Sequence, residues 1–150
     1  MGEYDKAIAI YEKLLASSDS ALSFIKPNAV EGLGYALEAS GKIKEAKARF
    51  DDLMKTQQGT ALAMAKYQAA RLSIKDGNAE GAETLLQEIV DAYKEQDQAG
   101  RLNFLFVNAR QLLLQINPDA DVPDLPTGGQ AIDPNLLRQM MQNQAGGGVR

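Results

Sequence analysis

Apolar side chains recur along this chain at helical spacing. Tyr4, Ala7, Ile8, Tyr11, Leu14 and Leu15 fall at i, i+3, i+4, i+7, i+10 and i+11, which is one helix face, and predict a first helix over about 3–17. Ser17-Ser18-Asp19-Ser20 interrupts it. Pro27 suits the first turn of a second helix, where its missing N–H costs nothing, and Gly41 supplies the position just past that helix's end at Ser40. A third helix starts at Lys42, with Ile43, Ala46, Phe50, Leu53 and Met54 on one face, and stops by Gly59. A fourth covers about 60–76 and ends at the turn signal Asp76-Gly77-Asn78. A fifth covers about 79–96, with Ala82, Leu85, Leu86, Ile89 and Val90 inward, and a sixth about 99–116, ending at Asn117-Pro118. No segment alternates with period two for long, so no sheet is expected.

The chemistry of the chain changes after 116. Three of the five prolines lie between Asn117 and Gly129, so 117–132 is expected to be an extended Pro/Gly-rich linker after a helical domain at 1–116. Asp133-Pro134 then gives a helix-capping residue followed by a first-turn proline. This opens a short amphipathic segment with Leu136, Leu137, Met140 and Met141 on one side, before a flexible glycine-rich end at 150. Unbranched methionines adapt to irregular grooves, so this tail is a candidate docking helix; a helix so short is marginal alone, and a disordered tail is the competing expectation.

The helical pattern also repeats. Gly2, Tyr4, Ala7, Tyr11, Leu14 and Leu15 match Gly41, Ile43, Ala46, Phe50, Leu53 and Met54, and match again Gly77, Ala79, Ala82, Leu86, Ile89 and Val90. The alanines stand 39 and then 36 residues apart. Leu33-Gly34 with Leu37, and Ala69-Ala70 with Leu72, take equivalent places in the preceding helices. Each residue type has a reason. A glycine permits the tight turn between antiparallel helices, a small residue lets backbones approach, and a large one at the Phe50 position fills the space between pairs.

On these residues the stretch from 2 to 116 resembles the tetratricopeptide repeat family. The resemblance is sharpest at Leu33, Gly34, Leu37, Gly41, Ile43, Ala46 and Phe50, and looser at Ser73 and Ala79. It implies an all-α, right-handed solenoid of three stacked helix pairs with a flexible C-terminal tail. Two departures stand out: a nine-residue stretch, Ser18–Lys26, lengthens the first connection, and the chain starts inside a repeat. Either the chain is a piece of a longer protein or another chain covers the face of the first helix. Glu31-Gly32-Leu33-Gly34-Tyr35-Ala36-Leu37 is also similar to bacterial membrane-anchored repeat proteins, including the ancillary subunit of the Sec translocon, whose repeats face the periplasm. That likeness implies a periplasmic location; without it the cytoplasm is expected.

Composition removes whole classes of chemistry. There is no cysteine and no histidine, which excludes thiolate and imidazole nucleophile systems and leaves no thiolate or imidazole metal ligand. No metal or cofactor is expected, and the chain is read as not an enzyme. Ser17-Ser18-Asp19-Ser20 near Lys13 reads as a helix end rather than a Ser–Lys nucleophile. A net charge of −4 argues against nucleic acid, which wants a concentrated basic face. Lys42, Lys44, Lys47, Arg49 and Lys55 are diluted by Glu45, Asp51 and Asp52 and read as a solvated surface. No apolar run approaches the roughly 20 residues that span a bilayer, so no membrane insertion by this chain is expected.

Two surfaces are left as candidates for partners. The resemblance implies that the first helix of each pair lines a concave face, which would carry Asn28, Glu31, Tyr35 and Glu38, then Tyr67, Gln68, Arg71 and Lys75, then Asn103, Phe106 and Arg110. Aromatic residues beside arginine anchor interfaces, and the bland alternative is a helix whose polar side meets water. Glu31 and Tyr35 stand where chaperone-binding members of the family carry a Lys/Asn clamp for a peptide carboxylate, which disfavours that ligand. The second surface is the exposed end formed by Tyr4, Ile8, Tyr11 and Leu15, expected to pack in part against the second helix and to leave a face that supports self-association. The functional expectation is a scaffold binding a protein or peptide in its groove and able to homo-oligomerise; a periplasmic, membrane-tethered adaptor seen without its anchor is the alternative.

Overall fold

The computed structural model describes residues 2–94 and 104–125. Among them the secondary structure is helical throughout: α1 Glu3–Ala16, α2 Lys26–Ala39, α3 Ile43–Thr56, α4 Gly59–Lys75, α5 Ala79–Lys94 and α6 Phe104–Ile116. Each helix packs on its neighbours in sequence, and α4 also touches α6. A 3₁₀ helix, Ser20–Ile25, fills the long first connection, where the periodicity gave no element. Asp19 starts it by accepting a hydrogen bond from the Ala21 N–H at 2.9 Å. Lys26 then donates to the carbonyls of Ser17 (2.8 Å) and Leu15 (3.4 Å), satisfying acceptors that the end of α1 leaves open.

The two repeating turns are the same turn. Gly41 and Gly77 both hold φ near +80°, at +82° and +81°. The Gly41 N–H donates to Glu38 and the Lys42 N–H to Leu37, both at 2.9 Å. Thirty-six residues on, the Gly77 N–H donates to Ile74 at 3.0 Å and the Asn78 N–H to Ser73 at 2.8 Å. These are the paired closing bonds of a Schellman cap, which needs a left-handed residue at this point. Burial follows the same offset: Ala46 and Ala82 are each 0% exposed, Phe50 and Leu86 1% and 0%, Leu53 and Ile89 7% and 1%. Ala7, the earlier counterpart, is only half-buried, because α1 packs on α2 without a second helix against its other side among the described residues.

The core forms two clusters that meet at α4. One joins Ile8, Leu33, Leu37, Phe50 and Leu53 to Ala65, Ala69 and Leu72. The other joins Ala63 and Ala70 to Leu86, Val90, Tyr93, Phe106 and Leu113. Two glycines in α2 let rings from either side come close. A Cβ on Gly32 would lie 2.5 Å from Tyr11 Cζ, and one on Gly34 would lie 2.8 Å from Phe50 Cε2. Tyr11 and Phe50 therefore approach backbone where any side chain would push them away.

Residues 117–125 adopt no helix or strand and lie against α5 and α6. Ala120, Val122 and Leu125 pack on the second cluster. Gln87 donates to the Asp121 carbonyl (3.2 Å), Lys94 pairs with Asp121 (2.9 Å), and Asn117 donates to Glu83 (2.6 Å). This first part of the expected linker thus covers apolar surface of the helical domain. The remainder, 126–132, and the expected tail segment with Leu136, Leu137, Met140 and Met141 lie outside the described residues.

Among the described residues one core position is polar. Ser73 takes the place that Leu37 holds one repeat earlier; it is 1% exposed and its hydroxyl has no hydrogen-bond partner. An unpaired buried hydroxyl costs free energy that a methyl group does not. Ser73→Ala is expected to raise stability by about 1 kcal/mol, read as a higher urea midpoint at unchanged slope.

Candidate functional site

Polar side chains of α2 and α4 are joined into one continuous network. Glu38, at the end of α2, accepts from both terminal nitrogens of Arg71 on α4, Nη1 to Oε1 and Nη2 to Oε2, each at 2.5 Å. Lys75 Nζ donates to the same Oε1. Arg71 also donates to Gln68 Oε1, from Nε at 3.0 Å and Nη2 at 2.8 Å. Gln68 Nε2 donates to the Tyr35 hydroxyl oxygen at 3.1 Å, and that hydroxyl donates to Glu31 Oε1 at 3.0 Å. Glu31, Tyr35, Glu38, Gln68, Arg71 and Lys75, all expected on one face from the repeat register, are therefore linked end to end by hydrogen bonds.

Position explains the network's electrostatics. The Glu38 side chain is 14% exposed and faces two cations. Bidentate donation from Arg71 pulls its carboxyl down to about 2; burial opposes this and Lys75 adds to it. Tyr35 moves the other way, pushed up to about 12 by burial and by the Glu31 carboxylate that its hydroxyl serves. Its ring meets Phe50 edge-on, with centroids 5.4 Å apart at 61°. The phenol stays protonated and remains a donor.

The remaining expected residues divide. Asn28 is exposed at the start of α2, and Tyr67 is half-buried against the α5 and α6 cluster. Arg110 is held by the chain's own downstream segment: its Nε donates to the Pro123 carbonyl at 3.0 Å and Nη2 lies 4.0 Å from Asp124. Phe106 requires a correction. It is 0% exposed, in the core against Tyr93, and presents nothing to a partner. The packing of α6 onto α5 turns this ring inward, and helical register alone did not distinguish an aromatic on the inner side. Asn103 lies outside the described residues.

The N-terminal surface is also corrected. Ile8 is 7% exposed and belongs to the first core cluster, because α2 brings Leu33 against it. Tyr11 and Leu15 are half-buried on the same cluster, whereas Tyr4 is 54% exposed. Ile10 and Phe24, not expected from the apolar stripe, are exposed large hydrophobics at this end of the molecule.

Sequence reasoning also missed an opening between α2, α3 and α4. It is a cavity of about 110 Å³ lined by Phe50, Leu53, Met64 and Ala65 and by the polar Asn28, Glu31 and Gln57. On α3, Lys47 pairs with Asp51 (2.8 Å), and Arg49 (3.5 Å) and Lys55 (2.9 Å) pair with Asp52, so these charges are paired within the helix. Among the described residues no cluster of acidic side chains could hold a metal ion, and no helix is long and apolar enough to cross a membrane. Comparison with family models, curated proteins and solved structures gave no match.

The depressed Glu38 carboxyl sets a pH dependence. A carboxyl lowered in the folded state contributes stability that is fully present above its unfolded value near 4.5 and is lost as pH falls towards about 2. Glu38→Gln is expected to cost about 1–2 kcal/mol at pH 7, allowing for solvent screening of the partly exposed cations. Urea melts across pH should show the gap between wild type and variant closing between pH 4.5 and 2.

Proposed function

We propose that this chain is a non-catalytic protein-interaction scaffold. Its helix pairs form a tetratricopeptide-like right-handed solenoid, and a peptide or helix binds along the concave surface formed by α2 and α4. The matching Schellman caps at Gly41 and Gly77, and the burial pattern repeated at the same offset, support the solenoid reading. The observation that carries the binding reading is the network from Glu31 through Tyr35, Gln68 and Arg71 to Glu38. Its side chains are already held in one geometry before any partner arrives, which lowers the ordering cost of association. Tyr35, 39% exposed, and Arg71, with 28% of its side chain exposed, are residue types that dominate interfaces when covered.

The test is selection of binders from a random extended-peptide library, followed by affinity measurement against Tyr35→Ala, Tyr67→Ala and Arg71→Ala. Selected peptides are expected to lose about tenfold or more in affinity with Tyr35→Ala and Arg71→Ala, as central aromatic and arginine anchors do. A library yielding no binder, or binders indifferent to all three substitutions, refutes the reading.

A second reading, self-association through α1, is favoured by the exposure of Tyr4 at 54% and Ile10 at 66% on a helix that packs mainly on α2. It predicts a mass that rises with concentration in light scattering and falls back to the monomer in Tyr4→Lys. A wild type that is monomeric throughout retires it.

A further inference from the structure

We propose that the cavity between α2, α3 and α4 is a socket for one aliphatic side chain of a partner peptide, and that Glu31 selects a basic residue beside it. This rests on the scaffold reading and adds the chemistry of the ligand. The cavity, about 110 Å³, is well below the roughly 300–1,000 Å³ of small-molecule sites. An apolar cavity of roughly 150 Å³ admits a benzene ring, so this one has room for a single aliphatic group. Phe50 and Leu53 close its floor, at 1% and 7% exposed. Half-buried Met64 forms a wall that can change rotamer as the pocket fills.

Charge chooses the neighbour. No lysine or arginine lines the cavity, and Glu31 is the carboxylate at its edge. The two carboxylates of this face differ: Glu38 is neutralised by Arg71 and Lys75, whereas Glu31 receives only the neutral Tyr35 hydroxyl. Glu31 thus has no cation paired with it among the described residues, and it lines the same cavity as Phe50 and Leu53. A peptide that seats an aliphatic side chain there places its adjacent residue at this carboxylate, where a cation is favoured and an anion repelled.

The probe is a short Gly/Ser peptide carrying one leucine between two lysines, read by fluorescence anisotropy on the full chain at low salt. Replacing the leucine by glycine is expected to weaken binding by about tenfold or more, from the apolar area lost. Replacing both lysines by glutamates is expected to weaken it several-fold. In the protein, Ala61→Leu narrows the mouth from an exposed position on α4 and is expected to weaken the lysine peptide by about tenfold, with an unchanged melting curve as the folding control. Glu31→Lys is expected to reverse the preference, so that the glutamate peptide becomes the tighter ligand. Binding indifferent to Ala61→Leu and Glu31→Lys overturns the socket, and leaves the scaffold reading standing if Tyr35→Ala or Arg71→Ala still weakens it. No binding of the probe also overturns the socket, while the library selection judges the scaffold reading separately. A gain of more than about tenfold on deleting residues 130–150 makes the chain's own C-terminal segment the occupant and overturns assignment to a partner.

Discussion

The molecule depends on α4 being thin enough to be buried on two sides. Ala65 and Ala69 meet the α2 and α3 cluster, and Ala63 and Ala70 meet the α5 and α6 cluster, with exposures from 0% to 9%. Four of the six buried positions of α4 are alanines, beside Leu72 and Ser73, and these methyl groups let both neighbours approach closely, a packing that is lost if one of them grows. One side of α4 is left to carry a polar face. Gln68, Arg71 and Lys75 lie on it, and Lys66 pairs across to Glu88 on α5 at 2.9 Å. The position of the polar face follows from the alanines behind it.

Glu38 ties that face together. A half-buried ion pair contributes little net stability when its desolvation is counted, but it penalises strongly any arrangement that separates it. Glu38 and Arg71 stand 33 residues apart, one repeat less about one helical turn, so their contact holds α2 and α4 in a single register. Lys75 shares the same carboxylate, which leaves one net positive charge at this end of the face and the open Glu31 carboxylate about two helical turns away. A ligand lying along α2 and α4 would meet unlike charge at its two ends, which gives the surface a direction as well as a shape.

The helices and the turn glycines were legible in the sequence because they obey local rules: spacing of 3.6 residues, first-turn proline, left-handed glycine. Six of the expected face residues came together because a repeat places equal positions side by side. What was not legible depends on partners distant in sequence. Phe106 and Ile8 sit on stripes that looked available, and only the packing of α5 on α6 and of α2 on α1 shows them to be interior. The 3₁₀ helix at Ser20–Ile25 is too short to show a period, although Asp19 before it is a capping signal. Arg110 looked free until the proline-rich segment, read as linker, was found along its helix; the apolar Ala120, Val122 and Leu125 within that segment were the overlooked hint.

The cavity and the Tyr35 ring beside it share one origin. Gly34 offers no side chain, so the Phe50 ring settles against the α2 backbone, with its edge 2.8 Å from where a Cβ would be. In that place the ring meets Tyr35 edge-on, and it also floors the cavity next to Glu31. A methyl group at Gly34 would push the ring off α2 and move both features at once. Ala70, one repeat later, carries that methyl group, and its counterpart partner is the smaller Leu86, with no ring to displace. The pairing of glycine with a large aromatic, against alanine with leucine, distinguishes the α2 and α3 junction from the α4 and α5 junction.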